Sequence, residues 1–143
     1  MSLGRPTTVR LQRIARAYRE SGALLAAVEL DLFSKINQGA NTEEKLSAAL
    51  GISSLNAERI TVACLGLGLI IRHENKLKNA IDVERFLTKE KSTYAGDWMF
   101  FTQPDWEKWG RLSDFLKNNE PAKLDNETVK GITIDEARRY HRA

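Results

Sequence analysis

The residues able to do chemistry are few and scattered. His73 and His141 lie far apart, and neither has a Cys or a pair of carboxylates at ligand spacing, so no metal site is assigned. For the same reason no Ser-His-Asp or Cys-His set can be built. Cys64 stands alone among Val62, Ala63 and Leu65, where a small buried apolar role fits and no internal disulfide is possible. Glu29 with Asp31, and Glu43 with Glu44, read as helix-surface carboxylates with no cause for shifted pKa values. The close glycine pair Gly66-Leu67-Gly68 sits where a helix should stop, and capping explains it better than a phosphate cradle. No catalytic, cofactor-binding or metal-binding residue is therefore assigned.

One stretch is chemically distinctive without being reactive. Tyr94, Trp98, Phe100, Phe101, Trp106 and Trp109 form the densest aromatic run of the chain, broken at Gln103-Pro104. Rings at helical spacing usually fill a core, yet three Trp within twelve residues exceed what a small core needs. Trp98, Phe101, Trp106 and Trp109 are the candidates for an apolar wall facing a planar ligand, and both readings stand.

The elements that position these residues centre on Asn41–Asn79. Asn41 is placed to cap a helix, with Glu44 reaching back in a capping box and Leu46 and Leu50 on the apolar face, until Gly51 ends it. Ser53 caps a second helix carrying Ile60, Ala63, Cys64 and Leu67, stopped by Gly66 and Gly68. Leu69-Ile70-Ile71-Arg72, a polar turn and Lys76-Leu77-Lys78 then read as a hairpin. Helix, turn, helix and hairpin make a winged helix-turn-helix, so the fold class is mainly α with a small β wing and extra helices at both ends.

Upstream, Thr7 to Arg19 is an amphipathic helix with a narrow apolar stripe. Ser21-Gly22 is expected to break it. Ala23 to Ile36 then forms a helix apolar around most of its circumference, which demands cover on most of its circumference. A core on one side and a second subunit on the other meet that demand, so a homodimer is expected, with Leu24, Leu25, Val28, Leu32 and Phe33 at its interface. Downstream, Asp82 caps a short helix, a further helix runs from Pro104 through Leu116, and a last one begins near Thr133 or Asp135.

At 143 residues, 42% hydrophobic and 29% charged, the chain has the size and composition of one globular domain. It shows neither an apolar run of membrane-spanning length nor the apolar core of a signal peptide, so a cytoplasmic location is expected. Residues 1–8 read as a disordered start or a leftover of cloning, 9–118 as the winged-helix-like dimerisation domain, and 119–143 as a linker with the start of a connector helix. The pattern at Ala143 carries no stop signal, which reads as truncation.

The net charge of +3 is unevenly spread, with Arg5, Arg10, Arg13, Arg16 and Arg19 near the start and Arg138, Arg139 and Arg142 at the end. Such clusters can touch nucleic acid, but a solvated face or acidic groups on a partner subunit explain them at least as well. The helix that would read a major groove offers Ser54, Asn56, Glu58, Arg59 and Thr61, a balance of one Arg and one Glu where positive charge is needed. The wing adds Arg72, Lys76 and Lys78 but also Glu74. A winged-helix transcriptional regulator binding DNA is the rival reading, and this charge pattern speaks against it.

Taken together, Ala23-Leu24-Leu25-Ala26-Ala27-Val28-Glu29-Leu30-Asp31-Leu32-Phe33, Thr42-Glu43-Glu44-Lys45-Leu46 with Ala49-Leu50-Gly51-Ile52, Leu65-Gly66-Leu67-Gly68-Leu69-Ile70 and Trp109-Gly110-Arg111-Leu112 resemble one family over about residues 10–118. It is the N-terminal dimerisation domain of the S-adenosylmethionine-dependent small-molecule O-methyltransferases. The resemblance implies an intertwined homodimer and a small aromatic or polycyclic substrate for the complete enzyme. It also implies S-adenosylmethionine as cofactor, held by a second domain that carries the Gly-x-Gly-x-Gly loop and the catalytic His. This chain has neither, so by itself it is expected to be inactive and to bind no cofactor.

Overall fold

The computed structural model describes residues 6–101 and 106–118, with the backbone alone at Phe101. The described residues form α1 (Val9–Arg16), α2 (Tyr18–Glu29), α3 (Leu32–Asn37), α4 (Glu43–Leu50), α5 (Ser54–Gly66), β1 (Ile70–His73), β2 (Lys76–Asn79), α6 (Ile81–Phe86), α7 (Gly96–Phe101), α8 (Trp106–Gly110) and α9 (Leu112–Asn118). The fold is mainly helical with one antiparallel two-stranded sheet, consistent with a winged-helix-like arrangement.

The helix expected over Ala23–Ile36 is two helices. Ser21-Gly22 does not break the chain but lies inside α2, since an isolated Gly costs a helix only about 1 kcal/mol. The break falls at Asp31, which adopts the left-handed conformation at φ 60°. Asp tolerates that region better than most residues, and the Asp31 carboxylate is held by Lys89 Nζ at 2.5 Å. The turn redirects α3 so that Leu32, Phe33 and Ile36 enter the core, alongside Ala27 and Val28 from α2. Leu46, Cys64, Ile70, Leu77, Val83 and Leu87 complete that cluster.

The helix-turn-helix follows its local signals closely, with one shift. Thr42, not Asn41, caps α4, its Oγ1 accepting from Lys45 N at 3.3 Å, so Glu44 falls one place short of the capping-box position. The carbonyl of Asn41 instead accepts from Leu77 N at 2.8 Å and ties the wing to the start of α4. Ser53 caps α5 by accepting from Asn56 N at 3.2 Å. Both helices end in the same way. Gly51 and Gly68 take positive φ, and the amides of Ile52 and Leu69 bond back to Ser47 O and Cys64 O, a paired closure that a side chain at either glycine would strain.

In the wing, Ile70 faces Asn79 and Arg72 faces Leu77, with Glu74 and Asn75 at φ 48° and 60° in the turn. Two adjacent positive-φ residues give the turn the twist a tight hairpin needs. Asn79 Nδ2 then donates to Phe33 O at 2.9 Å and to Glu84 Oε2 at 2.8 Å, so a single amide locks the wing to α3 and α6.

Two substitutions test this construction in urea-unfolding titrations. Phe33→Ala should lower stability by about 3–5 kcal/mol, because the ring is fully buried and leaves a cavity. Gly51→Ala should cost about 1–2 kcal/mol through the left-handed backbone alone.

Candidate functional site

The expected interface residues lie mostly inside the protomer. Leu25, Val28, Leu32 and Phe33 are each buried within the single chain, and only Leu24 is left half-buried against the core. A second subunit is therefore not needed to cover these four, because the turn at Asp31 lets one chain enclose both faces of the apolar run.

Exposed apolar surface is found elsewhere. Helix α1 buries no side chain: Leu11 and Ile14 stand in solvent, followed by exposed Tyr18 at the start of α2, and Arg10, Arg13 and Arg16 are exposed on the same helix as Val9. The sequence signal for this face is its narrow stripe, which needs something to lie on. At the other end, Trp109, Leu112 and Leu116 of α8 and α9 are exposed, Trp109 by 70%.

The aromatic segment divides by direction. Phe100 packs against the core with Met99, whereas Trp98 and Trp106 are about half-exposed. Core filling thus does not account for the three tryptophans. The Phe101 side chain lies outside the described residues, as does His141. Helix α7 lies against α2, and the Trp106 ring rests on α2 at Gly22, where an added Cβ would sit 3.7 Å from it.

The would-be reading helix is no more basic in three dimensions than in sequence. Thr61 is fully buried on the core side of α5 and cannot reach a groove, a correction to its place among the base-reading candidates. The exposed face instead shows Leu55, Glu58, Arg59 and Val62, and Arg59 is engaged with Asn56 Oδ1 at 3.4 Å. On the wing, Arg72 pairs with Glu43 of α4, so part of the wing's positive charge is already neutralised.

That pair corrects the expectation of an unperturbed Glu43. Its hydrogen bond from Arg72 holds the carboxyl below its ordinary pKa, burial opposing the effect. The residues are 29 positions apart, so no local pattern could show the contact. Cys64 is enclosed, and desolvation pushes its thiol up to about 11. Neither it nor His73, exposed on β1, is near a catalytic arrangement among the described residues. Gly66-Leu67-Gly68 forms the α5 terminus just described and does not fit a cofactor loop, since its amides are turned back onto the helix.

No family profile matches the chain. In sequence it is 29% identical over 110 residues to the tetracenomycin polyketide synthesis 8-O-methyl transferase TcmO of Streptomyces glaucescens, covering 76% of this chain and 32% of that protein. It is 25% identical over 117 residues to a 3-hydroxy-5-methyl-1-naphthoate 3-O-methyltransferase of Streptomyces sahachiroi, covering 79% and 33%. The chain thus spans about a third of the length of these relatives. In structure it is similar to an O-methyltransferase family protein from Burkholderia thailandensis (TM-score 0.76, 24% identity, 96% of this chain and 41% of that one). It is equally similar to human N-acetylserotonin methyltransferase in complex with SAM (TM-score 0.76, 19% identity, 100% and 46%). At these identities the structural likeness speaks for the fold. The resemblance to the dimerisation domain of O-methyltransferases accordingly rests on relatives as well as on motifs.

Two measurements check the local chemistry. Glu43 contributes stability that is full above the ordinary carboxylate pKa of about 4.3 and lost as pH falls through its lowered value, so Glu43→Gln should flatten the acid limb of stability against pH. A thiol reagent should label native Cys64 slower than the unfolded chain by a factor on the order of 100 or more, because the enclosed thiol is pushed up to about 11 and yields little thiolate.

Proposed function

We propose that this chain is the dimerisation and substrate-pocket-shaping domain of an S-adenosylmethionine-dependent O-methyltransferase. The observation that carries the reading is the pattern of coverage: relatives that are O-methyltransferases match about three quarters of this chain with only a third of their own length. The remaining two thirds of such a protein leave ample room for a cofactor-binding and catalytic domain. In this reading the chain supplies no reacting group. It pairs subunits, with the α2–α3 core holding the interface elements in register, and it presents Trp98, Trp106 and Trp109 as an apolar wall.

What such a wall does is exclude water and orient a flat acceptor, both of which favour methyl transfer by positioning. The names of the two sequence relatives point to polyketide and naphthoate acceptors for those proteins, and a small aromatic or polycyclic acceptor is the class proposed here. S-Adenosylmethionine would supply the methyl group from the catalytic domain. No described residue of this chain is assigned to hold it.

The test uses two titrations on the purified chain. Calorimetry with S-adenosylmethionine should show no binding to this chain, and a gel shift across salt concentrations should show no saturable, sequence-selective DNA complex. Selective DNA binding that weakens steeply with salt would overturn the enzyme reading in favour of a winged-helix regulator. In the enzyme that carries this chain, Trp106→Ala should raise KM for the acceptor about tenfold or more and leave that for S-adenosylmethionine unchanged.

A further inference from the structure

We infer that α1, with the first turn of α2, docks on an anionic lipid surface, one apolar side turned toward the acyl chains and its arginines among the headgroups. Every residue from 6 to 21 is exposed, so the fold gives this stretch no cover of its own. Ala17, between the two helices, keeps helical dihedrals (φ −58°, ψ −28°) and holds Tyr18 and Arg19 in phase with α1. At about 3.6 residues per turn, Leu11, Ile14, Ala15 and Tyr18 then share one side. Arg10 and Arg19 border that side, and Arg13 and Arg16 stand behind it with Val9 and Gln12. The Arg19 guanidinium lies over the Tyr18 ring, 5.9 Å from its centroid, which places a cation at the edge of the apolar side.

Charge selects the occupant. The stretch from 6 to 21 sets Arg10, Arg13, Arg16 and Arg19 against a single acid, Glu20, and among the described residues none of these arginines is ion-paired. An apolar side bordered by cations and backed by more of them is the pattern of a helix lying in a membrane interface, its long cationic side chains reaching out to the headgroups. No described helix is long and apolar enough to cross a membrane, and the contact inferred is one of lying on the surface. Nucleic acid would meet the arginines but leave Leu11, Ile14 and Tyr18 in water. A second copy of this helix would bring its own four arginines against these four. Beside an anionic leaflet each arginine favours binding by about fivefold, so the four together favour an anionic over a neutral surface by on the order of several-hundred-fold.

Flotation of the purified chain with vesicles tests the inference. The chain should float with vesicles of phosphatidylserine and phosphatidylcholine in equal parts, stay behind with phosphatidylcholine alone, and be released in about 1 M salt, where screening sets in within about 3 Å. Ile14→Glu should weaken the binding at least about tenfold, and Arg10→Gln with Arg13→Gln together about 25-fold. Circular dichroism and Tm should stay those of the wild type in both, because α1 buries no side chain. Val62→Glu, at an exposed apolar site on α5, should float as the wild type does. A wild-type chain that does not float, that floats equally with neutral vesicles, or that floats as well with Glu at position 14 would overturn the lipid surface. Retardation of oligonucleotides of any sequence by a chain that does not float would overturn it in favour of nucleic acid, and self-association lost in Ile14→Glu without flotation would do so in favour of a second copy. The enzyme reading is tested by cofactor calorimetry and the acceptor KM, so it stands whichever way the flotation falls.

Discussion

The left-handed turn at Asp31 is the constraint on which the rest of the structure depends. It separates α2 from α3 and lets a run of apolar residues fold back on itself, so that Leu25 and Val28 on one side and Leu32 and Phe33 on the other are buried within a single chain. A non-glycine residue in this conformation costs on the order of 1–2 kcal/mol. Burial of Leu32 and Phe33 alone returns about 3–6 kcal/mol at the usual value for such side chains, so the turn is favourable by a clear margin. The Lys89 side-chain contact to Asp31 and the hydrogen bond that the Lys89 backbone N–H donates to Ser34 Oγ at 2.9 Å then tie the segment after α6 to the bend.

Much of the helix-turn-helix was legible because its signals are local. The cap at Ser53, the stops at Gly51 and Gly68 and the hairpin turn at Glu74-Asn75 all act within a few residues of where they are read. The break between α2 and α3 was not legible, because Ser21-Gly22 is a stronger local punctuator than Leu30-Asp31 and only tertiary packing decides between them. Asn41 is a reasonable cap by its type, but Thr42 takes that position and the Asn41 carbonyl serves Leu77. The Glu43–Arg72 pair and the burial of Thr61 belong to the same class: each follows from what meets across the fold.

The candidate site was legible in kind more than in place. Composition marked Trp98, Trp106 and Trp109 as an excess over core needs, and their exposure agrees. The apolar run of α2–α3 marked a demand for cover that the chain itself meets. Exposed apolar side chains remain on α1 and α8–α9, and also at Leu55, Val62, Ile71 and Ile81, faces that emerge only once the core is closed. In this winged-helix-like arrangement the second helix presents Leu55 and Val62 beside Glu58 and Arg59, and the hairpin is fastened to α4.

The amide of Asn79 carries a further consequence. By joining the wing to α3 and α6 in one place, it couples elements that would otherwise open separately, and Asn41 O with Leu77 N adds α4 to the same set. Helix α1 has no buried side chain to bring it into that set. The domain is therefore graded into a cooperative block around the wing and a terminal helix that exchanges its amide hydrogens through inexpensive local opening. Association with another molecule along α1 would draw that helix into the protected block, so that binding and local folding become one equilibrium.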